Sequence, residues 1–473
     1  MYKRQHLHLI SLGNTKKILN LVGTTSKEEI IQIVANKISR EGEGKWIFGR
    51  GWDQNDWPIK EFPTRWDLDS VSPKNPVVLT RIDGHALWVN TVVLKKAGIT
   101  KETPDPEGGK IIRDPETGEP TGILIDEAMS LVEKVVPSST YEERKEMAIL
   151  ASQECSSLGL TTVHDAGVNL ETIKIYKELI NENKLTVRLY VMLRWPGDAV
   201  NIYLEKGPEI GYGNNYLTIR SIKMFADGAL GSRGAALFEP YSDDPTNTGL
   251  ITFDPDKAFE IMKKALEKGF QVCVHAIGDR ANRLVLDLFE KAFKSVPQVK
   301  DHRFRIEHAQ VLTKEDIPRF AKLRVIPSMQ PTHATSDMYW AEDRLGPERV
   351  KWAYAWKSLL NTGAKIAGGS DAPVESANPL WGIYAACTRQ DHKGWPEGGW
   401  HPEQKVSRYE ALKMFTIDAA YAGFEEKIKG SIEEGKLADI VVLSKDILSI
   451  PAKEILNTRV EMTIVGGKIV YQR

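Results

Sequence analysis

The sequence predicts an α/β protein built on a (β/α)8 TIM-like barrel, with a long insertion after the first strand and a small β module at the C-terminus. Three observations support this fold. Short apolar, β-rich runs alternate with longer segments of helical periodicity roughly eight times. Several of these runs are almost continuously apolar, as is typical of parallel strands that are covered on both faces. After about residue 405, short alternating strands joined by Gly turns replace this rhythm.

The candidate barrel strands are apolar runs that end in a polar or Gly-containing turn. In chain order they lie near residues 6–10, 161–167, 188–193, 219–228, 271–279, 304–310, 325–331 and 364–373. The segments between them have helical periodicity, which predicts helices over 141–158, 255–268, 279–293, 313–323 and 348–360.

The gap between the first two candidate strands is too long for one crossover helix, so it must contain an insertion. Within it, 76–90 is predicted as strand, turn and helix, and 110–126 as a hairpin. We expect a barrel domain over 1–425, including an insertion at about 40–135, and a C-terminal part of a small β-sandwich over 426–473.

Composition excludes several classes of protein. The chain has 473 residues with 63 Lys and Arg against 64 Asp and Glu, which gives a formal net charge of -1. This balance disfavours nucleic acid and anionic membrane as partners and leaves a small-molecule substrate. No apolar run approaches the roughly 20 residues needed to span a bilayer. The three cysteines are scattered, which favours a reducing cytoplasm over a disulfide framework.

Chemistry-bearing side chains lie at the ends of the candidate barrel strands. In a (β/α)8 barrel the carboxyl ends of all strands face one mouth, so residues distant in sequence converge there. The residues placed at that mouth are His6, His8, Lys223, Asp227, His275, His308 and Asp371. Imidazoles and a carboxylate form a nitrogen and oxygen site that suits Zn²⁺ best, and other divalent transition metals also fit.

Each piece of this pattern is weak when taken alone. His6 and His8 share a strand face because the side-chain period is 2, but a strand histidine is more often a hydrogen-bonded core residue. That structural interpretation is the better one for His164. The metal site is predicted from the combined placement of these residues, since four of the ten histidines lie at the ends of candidate strands and Asp371 lies at the end of the last one.

The ordered motifs HLHL, KMFADGALGSRGAAL, VHAIGDRAN, IEHAQ and GSDAPVE resemble the amidohydrolase superfamily. Within that superfamily they more closely resemble the amidohydrolase-3 group, which includes YtcJ-like proteins and N-substituted formamide deformylases. This resemblance runs over nearly the whole chain and implies a distorted (β/α)8 barrel that holds one or two divalent metal ions.

The resemblance also implies roles for individual residues. His6 and His8 match ligands of the more buried metal, and His275 and His308 match ligands of the second. Asp371 matches a ligand that also carries protons, although an Asp before Ala-Pro is also common in loops. Lys223 falls where related enzymes have a carbamylated lysine that bridges two metals. Its alternative is an ordinary lysine paired with Asp227.

This site implies hydrolysis of a carbon–nitrogen bond, in an amide or formamide, by metal-activated water, with Asp371 moving the proton. Candidate substrate contacts are His85, His333 and Arg389. The alternative for His85 is a structural histidine, and for the other two it is surface hydrogen bonding. A homodimer is compatible with the sequence.

The chain departs from the resemblance at its start. Family members generally begin with a β segment ahead of an Asp that lies two positions before the first His, and Arg4 stands at that position here. We therefore expect the C-terminal β module to be incomplete. This departure motivates one alternative, a truncated, non-catalytic family member. A second alternative is a hydrolase of ester or phosphotriester bonds on the same metal site, because fold and metal set do not determine the bond that is cleaved.

Overall fold

The computed structural model describes residues 2–54, 57–82, 86–106 and 109–473. The chain forms two compact units, one of residues 1–13 with 144–473 and the other of residues 14–143. The second unit is therefore an insertion into the first, and it begins at Asn14, within the short helix Leu9–Thr15 that follows the first strand. Among the described helices, none combines the length and the apolar composition that a bilayer crossing requires.

The strands of the described residues follow one another in three groups. The first strand and the insertion contribute β1 (Tyr2–Leu7), β2 (Leu19–Asn20), β3 (Ile47–Trp52), β4 (Val77–Arg81), β5 (Ala86–Val89), β6 (Gly109–Arg113) and β7 (Pro120–Asp126). The rest of the barrel contributes β8 (Leu160–Val168), β9 (Arg188–Arg194), β10 (Glu209–Gly211), β11 (Leu217–Phe225), β12 (Gln271–Ala276), β13 (Arg305–His308), β14 (Ile326–Met329) and β15 (Ala367–Gly368). The C-terminal module contributes β16 (Ile440–Leu443), β17 (Val460–Val465) and β18 (Lys468–Gln472).

The barrel sheet has the order β1-β8-β9-β11-β12-β13-β14-β15, and its neighbours pair in parallel. Its two ends are joined beyond the regular ladder, because Asp371 N donates to His6 O at 3.0 Å and His8 N donates to Ala372 O at 2.8 Å. The predicted (β/α)8 class is confirmed. The last strand is shorter than the sequence suggested, since its regular ladder ends at Gly368.

Helices connect the barrel strands, as the periodicity predicted. The longer ones span Tyr141–Ser157, Leu170–Asn181, Asp198–Lys206, Pro255–Glu267, Asp279–Ser295, Ile317–Leu323, Trp356–Asn361, Pro379–Thr388 and Arg408–Met414. The predicted helix over 348–360 is wrong in extent. Residues 341–349 form a separate helix that is kinked at Gly346, where φ is 72° and Pro347 follows. The predicted helix is interrupted after this point: Val350–Trp352 is a 3-10 turn, Ala353 is extended and Tyr354 has a φ of 52°, so the next helix starts only at Trp356.

The insertion forms its own mixed sheet in the order β2-β3-β4-β5-β7-β6. Trp52 and Trp88 are fully buried in its core beside the helix Lys27–Glu41. The hairpin predicted over 110–126 is present as the antiparallel pair of β6 and β7. The helix predicted in the second half of 76–90 is wrong, because Ala86–Val89 pairs with both β4 and β7 and the helix starts at Thr91.

The C-terminal module is a three-stranded antiparallel sheet in the order β16-β17-β18. A buried ion pair connects it to the barrel, in which Arg188 Nε and Nη2 donate to the two oxygens of Asp439 at 2.9 and 3.0 Å. Thr463 Oγ1 also donates to Ser156 O at 2.7 Å. The module is thus fixed at the amino ends of the barrel strands, opposite the mouth that holds the candidate site.

Candidate metal centre

The barrel interior is polar along alternate strand positions. Cys273 and His275 on β12 point inward together, and so do Arg305 and Glu307 on β13, because side chains two residues apart share a face. Arg305 donates to Cys273 Sγ at 3.1 Å and lies 3.1 Å from His164 Nδ1. His164 stacks on Tyr190 with ring centroids 4.5 Å apart, so the structural interpretation of this histidine is the correct one.

Six of the sequence-predicted residues meet above this layer, at the carboxyl ends of the strands. His6, His308 and Asp371 each offer a ligand atom, and these atoms lie within 4.8 Å of one another. Asp371 Oδ1 is 3.2 Å from His6 Nε2 and 3.3 Å from His8 Nε2. The His275 ring lies 4.6 Å from the His308 ring, and the fully buried Lys223 lies among them.

Three of the four imidazoles are oriented by an acceptor on Nδ1. His6 Nδ1 is 2.9 Å from Glu307 Oε2, and His8 Nδ1 is 3.0 Å from Ala166 O. His308 Nδ1 is 2.8 Å from Gln330 Oε1. An acceptor on Nδ1 holds the proton there and leaves the Nε2 lone pair free, as is common for metal-ligating histidines. The Nε2 lone pairs of His6 and His8 therefore face the Asp371 carboxylate, an arrangement that a cation between them stabilises.

The charge states of His6, His275, His308 and Asp371 fit metal binding, whereas for His8 burial lowers the pKa but the hydrogen bond and charge of Asp371 outweigh burial and raise it. Burial, followed by the nearby Lys223 charge, lowers the pKa of His6 and lowers that of His275 to about 3. Burial also holds the pKa of His308 well below its usual value. Burial alone would raise the pKa of Asp371, but the histidines around it hold that pKa well below its usual range. Neutral imidazoles and an ionised carboxylate are the forms that bind metal.

Lys223 is not paired with Asp227, so that alternative is wrong. Asp227 accepts backbone N–H groups from Ala236, Ile277 and Gly278 at 2.9, 3.0 and 2.8 Å, and burial raises its pKa to about 7. Lys223 Nζ is buried and has no hydrogen-bond partner among the described residues. Burial lowers the pKa of Lys223 to about 8. An unpartnered buried ammonium is costly, so this position favours a neutral or modified amine.

Two of the candidate ligands occupy strained backbone positions. The φ of His308 is 75° and that of Asp371 is 58°, both in the left-handed region that favours glycine. Each such residue costs roughly 1–3 kcal/mol, and these costs concentrate at functional sites. The strain turns the chain sharply at the ends of two barrel strands, which aims both side chains into the mouth.

Comparison with known proteins assigns this architecture to a family. The sequence model of the Amidohydrolase family matches residues 5–471. The chain belongs to the amidohydrolase family. YtcJ of Bacillus subtilis (strain 168) is 37% identical over 477 residues, covering 99% of this chain and 88% of that protein. N-substituted formamide deformylase of Arthrobacter pascens is 27% identical over 466 residues, covering 94% of this chain and 82% of that protein.

A solved structure also resembles this amidohydrolase. An uncharacterized metal-dependent hydrolase from Pyrococcus horikoshii OT3 has a TM-score of 0.78 at 30% identity, covering 95% of this chain and 86% of that one. The resemblance to the amidohydrolase-3 group is therefore confirmed. Together the family and this structure support a hydrolase that depends on a metal ion.

Sequence reasoning missed two buried residues that orient the site of this amidohydrolase. Glu307 precedes His308 in the IEHAQ motif and supports His6 across the barrel. Burial raises the pKa of Glu307, but Arg305 and His6 outweigh that effect and hold it well below its usual value. Gln330 follows β14 and supports His308. The acidic residue inside an apolar strand run was the available signal for Glu307; no such signal marked Gln330.

The three candidate substrate contacts have different outcomes. His333 lies near the site: its ring stacks on that of His308 with centroids 6.0 Å apart, and its buried Nε2 has no hydrogen-bond partner among the described residues. Arg389 is a correction, because it is fully buried, donates to the carbonyl oxygens of Trp400 and Tyr354, and lies against the Trp356 ring. It is therefore not a surface residue, and its role as a substrate contact stays a prediction. His85 lies outside the described residues.

Proposed function

We propose that this amidohydrolase cleaves a carbon–nitrogen bond of a small amide or formamide with the help of a divalent metal ion. The observation that carries the proposal is the convergence of His6, His308 and Asp371, whose ligand atoms lie within 4.8 Å of one another at the barrel mouth. The name of the relative from Arthrobacter pascens, a formamide deformylase, supports a bond of this type.

The residues present fit a metal ion. The Nε2 atoms of His6 and His8 lie 3.2 and 3.3 Å from Asp371 Oδ1, and we infer that these three side chains would hold one cation. We infer that His275 and His308 would contribute ligands to a second cation. Two imidazoles with a carboxylate favour Zn²⁺. A bound ion of this kind supplies Lewis acidity toward the carbonyl and lowers the pKa of water toward neutrality.

Lys223 is proposed to carry a carbamate. Its neutral amine forms an N–C bond to CO₂, one C=O π bond breaks to give the carbamate oxygen anion, and the amine loses a proton to solvent. The product is a bidentate anion, which offsets the positive charge of two cations. The fully buried and unpartnered Nζ supports this modification, since an ordinary ammonium at this position would lack compensation.

Asp371 is proposed to move the proton. Its carboxylate is ionised and buried beside His6 and His8, so it accepts the proton of the attacking water and delivers it to the leaving nitrogen. His333 is proposed to hold the substrate carbonyl, because its buried Nε2 lacks a partner and its ring stacks beside His308. A hydrogen-bond donor that is already positioned where the oxyanion develops stabilises the transition state by a few kcal/mol. This corresponds to an increase in rate of roughly 100-fold.

The test combines metal analysis with matched substrates. Purified protein is stripped with a chelator, reloaded with Zn²⁺, Mn²⁺ or Ni²⁺, and assayed on N-formyl amines, N-acyl amines and aryl esters of the same skeleton. We expect tight binding of one or two ions per chain and hydrolysis of amides that chelation abolishes and metal restores. Absence of stoichiometric metal, or hydrolysis confined to the esters, would overturn the proposal.

A further inference from the structure

A cavity of about 200 Å³ opens beside His8 at the carboxyl ends of β1, β8, β9 and β11. Its lining includes His8, Asp165, Thr172, Arg194 and Phe225. Pockets that enclose a whole small molecule are usually about 300–1,000 Å³, so this cavity suits one substituent of a substrate. His8 belongs to the candidate metal centre, so a group in the cavity is close to the proposed scissile bond.

Arg194 projects into this cavity from the last position of β9. Tyr190 and Met192 precede it at intervals of two residues and face the barrel interior, where Tyr190 stacks on His164 and Met192 packs with Ala166 and Cys273. Alternation along the strand places Arg194 on the same inner face, one layer higher. Its backbone pairs with Lys223 on β11, which fixes its height relative to the candidate site.

The positive charge of Arg194 has no carboxylate partner among the described residues. Its guanidinium lies 5.7 Å from the Phe225 ring centroid, a contact that orients the group without neutralising it. Asp165, the carboxylate that lines the same cavity, is already engaged. Its Oδ1 accepts Leu9 N at 2.9 Å and its Oδ2 accepts the Tyr176 hydroxyl. Both oxygens of Asp165 are thus occupied by donors of the protein, and the group that the cavity leaves free to bind a ligand is the Arg194 cation, which favours an anion.

Phe225 links this cation to the reacting centre. The Phe225 ring is 5.6 Å from the His275 ring and 4.8 Å from Lys223 Nζ, measured to its centroid. A substituent held by Arg194 thus lies beside His8 and is separated from His275 and Lys223 by one aromatic ring. The substrate that fits this spacing carries its anion a few bonds from the scissile amide.

We infer that Arg194 determines specificity by binding a carboxylate of the substrate, so that the substrates are N-formyl or N-acyl derivatives of amino acids. This inference rests on the proposed function. A guanidinium binds a planar carboxylate through two parallel N–H donors. A single arginine in a small cavity matches one carboxylate, whereas a phosphate dianion usually meets several donors.

The experiment compares two substrates that differ only in the carboxylate, N-formyl-leucine and N-formyl-3-methylbutylamine. We expect wild-type kcat/KM to favour the acid by at least about 10-fold, and Arg194→Met to lower the acid-to-neutral ratio by at least about 10-fold, to near 1. Arg194→Lys should recover part of the ratio, since it restores the charge without the planar fork. Arg459→Met removes an exposed arginine of the C-terminal module and should leave the ratio unchanged.

Binding tests the inference separately from catalysis. Calorimetry with leucine, the carboxylate-bearing product, should show binding to the wild type that Arg194→Met weakens about 10-fold or more, whereas 3-methylbutylamine should bind both proteins equally. Inorganic phosphate as a competitor tests the alternative anion. Acetate serves as the reference competitor, because it carries one carboxylate. An acid preference that survives Arg194→Met overturns the inference, and so does phosphate that displaces leucine at a lower concentration than acetate does. Inactivity on every amide refutes the proposed function, while the leucine titration still tests Arg194.

Discussion

Glu307 Oε2 accepts a hydrogen bond from His6 Nδ1 across 2.9 Å in the fully buried centre of the barrel. The other oxygen of Glu307 lies 3.2 Å from Arg305 Nε, so the carboxylate is ionised and fixed between two partners. This relationship decides which nitrogen of His6 carries the proton. It leaves Nε2 directed at Asp371, 3.2 Å away, where a metal ligand is needed.

Replacing Glu307 should therefore weaken metal binding without removing any proposed ligand. Glu307→Gln keeps the shape and an acceptor oxygen but removes the charge that stabilises the His6 proton on Nδ1. We expect the affinity for Zn²⁺ to fall about 10–100-fold, which is typical when a supporting carboxylate is lost. Competition with a chromophoric chelator measures it, and the exposed Glu315→Gln serves as the control. Equal affinities for wild type and Glu307→Gln would show that this contact does not tune the site.

Carbamylation of Lys223 can be tested directly, because the chain contains a second fully buried lysine. Lys429 Nζ pairs with Glu425 at 2.7 Å and donates to Thr162 Oγ1 at 3.3 Å, so its charge is compensated. Protein loaded with metal under ¹³CO₂ should show one carbamate resonance that is lost in Lys223→Arg and retained in Lys429→Arg. A spectrum without any carbamate resonance, or one lost only in Lys429→Arg, would contradict the assignment.

Much of the barrel could be predicted from sequence because its signals are local. Each parallel strand is a short apolar run, and His275, His308 and Asp371 mark where such runs end, so period and position together indicated a common mouth. Where prediction failed, long-range contacts decided the outcome. Residues 86–89 were predicted as helix, but pairing with β4 and β7 makes them a strand.

The orienting contacts of the site could not be predicted for a related reason. Glu307 and His6 are far apart in sequence, and only closure of the barrel brings them together. The surface alternative for Arg389 was wrong because a charged residue in a Trp-rich loop is usually exposed. Its burial depends on backbone carbonyls of Tyr354 and Trp400, which no side-chain pattern reveals.

Asp371→Asn should separate proton transfer from metal binding. The amide keeps one oxygen that can face His6 and His8, but it cannot accept a proton at neutral pH. We expect kcat to fall by at least about 100-fold while metal content changes little. Elemental analysis and steady-state kinetics on the same preparation measure both. Undiminished turnover would remove Asp371 from the mechanism, and loss of all metal would reduce its role to that of a ligand.

His302 should make stability depend on pH. Its ring stacks on Phe293 with centroids 3.6 Å apart, and burial lowers its pKa to about 4. The unfolded chain, with an ordinary pKa near 6.5, binds the proton more readily, so stability is lost as the pH falls from about 6.5 to about 4.

His302→Phe keeps the stack and removes the titration. Between pH 7 and 5 the wild type should lose about 2 kcal/mol more stability than the variant. Thermal unfolding at both pH values measures this difference, with the exposed His392→Phe as the matched control. If wild type and His302→Phe lose the same stability on acidification, His302 is not the group responsible.

The buried pair of Arg188 and Asp439 should be the strongest single attachment of the C-terminal module to the barrel. Asp439 accepts hydrogen bonds from Arg188 Nε and Nη2 and also from Gly466 N at 2.8 Å. Asp439→Asn leaves a buried guanidinium without a counter-charge, so we expect a loss of about 3–5 kcal/mol in unfolding free energy. The double variant Arg188→Met with Asp439→Leu should be more stable than Asp439→Asn, because neither charge then remains buried. Asp446→Asn, at an exposed position, is the control. Thermal unfolding compares the stability of Asp439→Asn, the double variant and this control. A double variant no more stable than Asp439→Asn would show that packing, rather than charge, determines the attachment.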